Sequence, residues 1–160
     1  MIQRIQSVYL LAFALACILL LLLPVCSLIP GETSVDQSVY YFSLLSTDAY
    51  SGGQMAVIHR SWPLVYTDCV LIVGSLLALF LFKNRKRQML LTRILLFLSL
   101  AFIAVIVNSI NSLREMADAG HIFRYSIAAL LVVIPPIMAF FAFKGIKKDD
   151  ALVRSADRLR

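Results

Sequence analysis

Four apolar stretches dominate this 160-residue chain: Val8 to Ile29, Trp62 to Phe82, Met89 to Ile110 and Tyr125 to Phe143. Each is long enough to cross the roughly 30 Å of a bilayer's hydrocarbon as a helix. The first and last carry no charge, the second carries only Asp68 and the third only Arg93. A soluble domain would have to hide all four from water, which a chain of this length has too little polar surface to do. Composition agrees, with 61% hydrophobic and 15% charged residues and a mean hydropathy of +0.87. The expectation is a single all-α membrane domain over residues 1–160, built as a bundle of four transmembrane helices.

The first stretch follows Arg4 and so resembles a secretion signal. It is longer than such a core, lacks a clean small-residue cleavage site, and reads as an uncleaved anchor. Neither Cys17 nor Cys26 has the small-residue lead-in of a lipid attachment site. Before it, Ile2, Ile5 and Tyr9 recur at helical spacing among Gln3, Arg4 and Gln6, which fits a turn lying in the headgroup layer.

The basic residues set the expected orientation. Arg4, Lys83, Arg85, Lys86, Arg87, Arg93, Lys144, Lys147, Lys148, Arg154, Arg158 and Arg160 fall on one side of the four stretches, and only Arg60, Arg114 and Arg124 on the other. The richer side is expected in the cytoplasm, with both termini there. The net charge of +6 then belongs to topology and anionic headgroups, not to a nucleic-acid partner.

Between the first two stretches, residues 30–61 form the one sizeable outer loop. Val39 to Leu45 and Met55 to Ile58 are rich in strand formers and flank a break at Ser51-Gly52-Gly53, so a small β-hairpin is expected there. Ser61, Trp62 and Pro63 supply a cap, an interfacial ring and a first-turn proline for the second helix. Gly74 and Ala78 form a small-xxx-small pair suited to close helix approach. The six residues from Lys83 to Gln88 require antiparallel neighbours on either side. Pro135-Pro136 removes two helical donors and predicts a kink near the middle of the fourth helix. In the tail, 147–160, Leu152, Ala156 and Leu159 share one face, which predicts a short amphipathic cytoplasmic helix.

Candidates for chemistry are few. Asp68 sits six residues beyond Trp62, about 9 Å along the helix, and an intramembrane carboxylate is a proton or cation site by default. Tyr66, Thr67 and Asn108 are expected near it. The structural alternative pairs Asp68 with Arg124, Arg60 or outer water. Asn108 and Asn111 fit end-capping or helix bridging at least as well as function. His59 and His121 suit a bis-histidine site in principle, but nothing at ligand spacing accompanies them. Cys17, Cys26 and Cys69 contain no CxxC, and they read as small buried hydrophobes in preference to a Cys26–Cys69 bridge. The proline pair reads as a kink and not as an ion-coordinating break. With no glycine-rich phosphate loop, no GxSxG and no carboxylate pair inside the spans, neither an enzyme nor a cofactor is expected.

Met1-Ile2-Gln3-Arg4-Ile5-Gln6-Ser7-Val8-Tyr9-Leu10 at the start and Leu152-Val153-Arg154-Ser155-Ala156-Asp157-Arg158-Leu159-Arg160 at the end carry a resemblance. With the Lys83-Asn84-Arg85-Lys86-Arg87-Gln88 turn and Pro135, they resemble a Bacteroidota group of four-helix inner-membrane proteins, the domain-of-unknown-function 4293 group. The resemblance spans the whole chain and implies a bacterial inner-membrane location, without catalytic residues. Because the polar ends carry it, Arg154, Asp157, Arg158 and Arg160 are candidates for docking a partner. The leading expectation is a non-enzymatic accessory or scaffold subunit of a larger inner-membrane complex, with a membrane-protein partner or a second copy beside the bilayer. The alternative is a small transporter or channel subunit with Asp68 as its ion site.

Overall fold

A computed structural model describes the main chain of residues 3–32, 37–52, 54–116 and 121–158, and the side chains of these except at 3–5, 83, 116 and 153–158. Helix α1 spans Gln3–Leu22, α2 Trp62–Phe80, α3 Arg85–Met116, α4 Ala128–Leu131 and α5 Ile134–Arg158. The last two form one broken rod. Each rod packs against two others, α1 against α2 and α5, and α3 against the same pair, which closes a four-helix bundle.

The stripe that builds this core is periodic. Leu10, Phe13, Cys17 and Leu20 of α1 are buried and face Leu64 and Leu71 of α2, Leu95, Phe102 and Ile106 of α3, and Ala139 and Ala142 of α5 within one cluster. Between these stripes the helices present Leu, Ile, Val and Phe outward, including Leu11, Leu15, Val70, Phe97 and Phe140. Such a surface suits hydrocarbon and not water. Three rods, Trp62–Phe80, Arg85–Glu115 and Ala128–Leu152, are long and apolar enough to cross a membrane. Within α1 the apolar segment Gln6–Leu22 is shorter.

At Gly74, α2 and α3 approach each other closely. A methyl group placed there would lie 2.7 Å from Leu95 Cδ2, so the small-xxx-small pair of α2 admits α3, and Ala78 is buried. The turn between these helices is tighter than the sequence indicates. A single 3-10 turn, Leu81–Lys83, leads through Asn84 straight into α3, so the basic cluster lies in the first turn of a helix.

The largest correction concerns the end of the bundle away from that cluster. A five-stranded antiparallel sheet stands there in place of a hairpin, formed by β1 Cys26–Pro30, β2 Val39–Phe42, β3 Ser46–Ser51, β4 Gln54–Arg60 and β5 His121–Tyr125 in the order β4-β3-β2-β1-β5. The expected break at Ser51-Gly52-Gly53 does turn the chain, with Gly52 at φ 58, a conformation that L side chains avoid. The strand that it returns against is β3, not 39–45, because Ser43 and Ser46 close a turn of their own. β1 and β5 were both expected to be something else. Residues 26–29 read as the end of the first span, but the helix stops at Leu22, two residues before Pro24, and Val25 N–H already bonds to the Phe42 carbonyl at 2.8 Å. β5 was expected as loop running into the fourth span at Tyr125, and it pairs with β1 from Cys26↔Tyr125 to Pro30↔His121. The buried face of the sheet, with Cys26, Leu28 and Phe42, joins the helical core.

In the fourth rod, a turn at Val132 and Val133 separates α4 from α5, held by Val132 N–H to Ala129 O and Val133 N–H to Leu130 O, both 3.3 Å. Pro135 and Pro136 are the second and third residues of α5, where a missing N–H costs nothing. The expected break is there, just ahead of the prolines. The tail is not a separate helix, because α5 runs on without interruption to Arg158. The side chains of Arg154, Asp157 and Arg158, and all of Arg160, lie outside the described residues.

Candidate functional site

Three places gather polar side chains that an apolar bundle must position deliberately. The first is Asp68. It shares the buried face of α2 with Leu64, Leu71, Ser75 and Ala78, and it is 0% exposed. Among the described residues neither carboxyl oxygen has a hydrogen-bond partner. The Cys17 thiol of α1 is the polar group beside it, close enough to interact electrostatically without a well-formed hydrogen bond. An ionised carboxylate so placed lacks the compensation that buried charge requires.

The neighbours expected from sequence are not assembled around it. Tyr66 is exposed and stacks on Trp62 with ring centroids 6.2 Å apart. Thr67 Oγ1 donates to Pro63 O at 2.7 Å on its own helix. Arg60 lies 5.8 Å from the Trp62 ring, and Arg124 is on β5 opposite Ser27, so neither pairs with Asp68. The other buried hydroxyls of the bundle are spent locally: Ser75 donates to Ile72 O, Ser99 to Leu96 O and Thr92 to Gln88 O, at 2.8, 2.8 and 2.9 Å.

The second place lies at the basic end, where α1, α3 and α5 meet. Gln6 Nε2 donates to Asp149 Oδ2, and Arg85 Nη1 donates to the Asp149 carbonyl at 3.0 Å. Gly145 permits this approach, since a methyl group there would stand 3.1 Å from Gln6 Cγ. A cavity of about 210 Å³ adjoins them, with Gln88 and Phe82 in its wall. Both key residues were read otherwise. Gln6, expected on the polar side of an entry turn, is buried between helices, and Asp149 lies within a continuous helix, not in the first turn of a new one. No sequence signal links residues 143 positions apart.

The third place is a cavity of about 360 Å³ between the sheet and the far end of α3. β2 contributes Tyr40 and Phe42, β3 Thr47, β4 His59, and Ser61 precedes α2. Asn108 lines the opposite wall, so Asn108 and His59 come together here while Asp68 stands apart. Asn108 and Asn111 are not at a helix end, because α3 continues to Met116. Its length, about 48 Å at 1.5 Å per residue, carries α3 beyond the hydrocarbon and up against the sheet.

His121 does not line this cavity. Its Nε2 lies 3.2 Å from Ser38 O and its ring is edge-on to Tyr40 at 5.5 Å. Among the described residues no three His, Cys, Asp or Glu side chains could hold a metal ion together. The three cysteines are free thiols, with Cys17 and Cys26 buried and Cys69 exposed. Burial pushes the Cys26 thiol up to about 11, which makes it a poor nucleophile at neutral pH. No curated protein matches the chain. The family described as domain of unknown function (DUF4293) matches residues 2–159, and the chain belongs to that family.

Proposed function

We propose that this protein is a non-enzymatic accessory or scaffold subunit of a larger inner-membrane assembly in Bacteroidota, crossing the membrane four times with both termini in the cytoplasm. The observation that supports a partner is β4. It is an edge strand of the sheet, and all seven of its residues are exposed, Met55, Val57 and Ile58 among them. An edge of that length offers unpaired N–H and C=O groups to a further strand, and natural sheets usually guard such edges with lysine, proline or a covering loop. Here only Arg60, at its end, is charged. The fourth crossing rests on α1, whose 20 residues reach about 30 Å.

The test is to purify the parent and an Ala56→Pro/Val57→Lys variant from native membranes and compare their masses under native conditions. The parent is expected to carry a stoichiometric protein partner or a second copy, and the variant to lose it while keeping its helical content. A parent that emerges as the lone chain would count against the reading.

A second reading, a small transporter or channel subunit, is supported by Asp68 alone, a carboxyl group inside the bundle without a hydrogen-bond partner among the described residues. The local use of the Ser75, Ser99 and Thr92 hydroxyls weighs against it, because a proton or cation path needs polar groups turned toward one another.

A further inference from the structure

The cavity between the sheet and α3 is lined by side chains whose hydrogen-bonding capacity the fold does not spend. Thr47 is 6% exposed and Ser61 8%. Ser61 precedes α2 without a side-chain capping bond, and among the described residues Thr47, which faces His59 across the β3–β4 ladder, has no side-chain bond either. The Asn108 amide and the His59 ring are likewise uncommitted. Thr47 and Ser61 both line the cavity, so their hydroxyls are available to whatever occupies it.

The walls restrict what that partner is. Among the described residues no Lys, Arg, Asp or Glu lines the cavity, so a charged head would enter without a counter-charge. Thr47, Ser61, Asn108 and His59 can all donate, which favours a ligand rich in acceptors. Tyr40 and Phe42, two residues apart on one face of β2, add an aromatic wall. The volume of about 360 Å³ is in the usual range of small-molecule sites. Ser61 directly precedes Trp62, the interfacial residue, so the cavity sits where a bilayer-dissolved molecule presents its head.

We propose that this cavity binds the uncharged, carbonyl-bearing head of a bilayer-soluble amphiphile, its carbonyl oxygens accepting from Thr47, Ser61 and Asn108 and its apolar stem remaining in the lipid. A prenylated quinone and a diacylglycerol share this chemistry. Trp62, the only tryptophan, reports on it. The full chain in phosphatidylcholine nanodiscs is titrated with 2-methyl-3-prenyl-1,4-naphthoquinone, a quencher of indole fluorescence. Saturable quenching is expected, with Thr47→Val and Asn108→Leu each weakening it about three- to tenfold, the value of one neutral hydrogen bond. Asn108→Leu lies on an exposed helix face and keeps the test valid if the buried Thr47→Val fails to fold. Displacement of the quinone by 1,2-dioleoylglycerol would identify the glyceride as the source, and resistance to displacement the ring; either supports the site. Quenching that never saturates, that is equal in both folded variants, or that anionic phosphatidylglycerol reverses as well as dioleoylglycerol does, would overturn it.

Discussion

At the scale of single residues, Asp68 separates the two functional readings. Among the described residues its carboxyl has no well-formed hydrogen bond to lose, so Asp68→Asn exchanges one such polar group beside Cys17 for another of the same size. We expect the variant to unfold within about 1 kcal/mol of the parent, to keep any partner and to support growth. A well-folded Asp68→Asn chain that retains every partner yet fails to replace the parent in cells would establish the ion-site reading instead. Cys26 supplies a pH-dependent counterpart outside the helices. Its thiol is raised from the usual 9.0 to about 11, so the folded chain holds this proton more tightly than the unfolded one. The stability this contributes is complete below pH 9 and is lost as pH rises from 9 through about 11. Thermal midpoints measured across that window should fall less steeply for Cys26→Ala than for the parent, and parallel curves would show that the thiol does not titrate with unfolding.

At the scale of elements, the fourth rod tests how a proline pair acts. Pro135 and Pro136 lie in the first turn of α5, so they add no unsatisfied donor there. What they forbid is a helix continuing through the carbonyls of Leu131 and Val132. Replacing both by Ala should let α4 and α5 fuse, with slower amide exchange at residues 132–136 and unchanged membrane insertion, since the segment stays long and uncharged. Loss of insertion would mean that the kink is needed for the segment to enter the bilayer. The rods are legible in the sequence because apolar length alone specifies them. The sheet is only partly legible, for a physical reason: Cys26 to Ile29 continue the apolar run of α1, and hydrophobicity cannot tell a short buried strand from the end of a helix. Pro24 is the signal that separates them, since the residue before a proline is pushed out of helical geometry. β5, His121-Ile122-Phe123-Arg124-Tyr125, places Ile122 and Phe123 side by side without a clean alternation, and it is too short to be distinguished from a loop without its partner strand. Of the candidate sites, Asp68 and Asn108 stand out in sequence as polar residues in apolar runs. Thr47, Ser61 and the Gln6–Asp149 contact do not, because their significance arises only when distant segments meet.

At the scale of the whole molecule, the sheet and the basic cluster occupy opposite ends of the bundle, and this polarity makes the orientation testable. β1 to β4 connect the end of α1 to the start of α2, β5 connects α3 to α4, and the Lys83–Arg87 cluster and Lys144–Lys148 lie at the other end. Moving that many cations across a bilayer is far costlier than moving Arg60, Arg114 and Arg124. The sheet is therefore expected outside and the long end of α5 inside. In a background with Cys17, Cys26 and Cys69 changed to Ala, single cysteines at Ser51, in the exposed β3–β4 turn, and at Ala151, exposed on α5, probe the two ends. A membrane-impermeant maleimide applied to intact spheroplasts should label the Ser51 position at once and the Ala151 position only after the membrane is opened. The opposite pattern would invert the topology. Labelling of both positions in sealed cells would place an even number of crossings between them, which would say nothing of α1 but would require one of α2, α3 or the α4–α5 rod to lie along the surface instead of crossing.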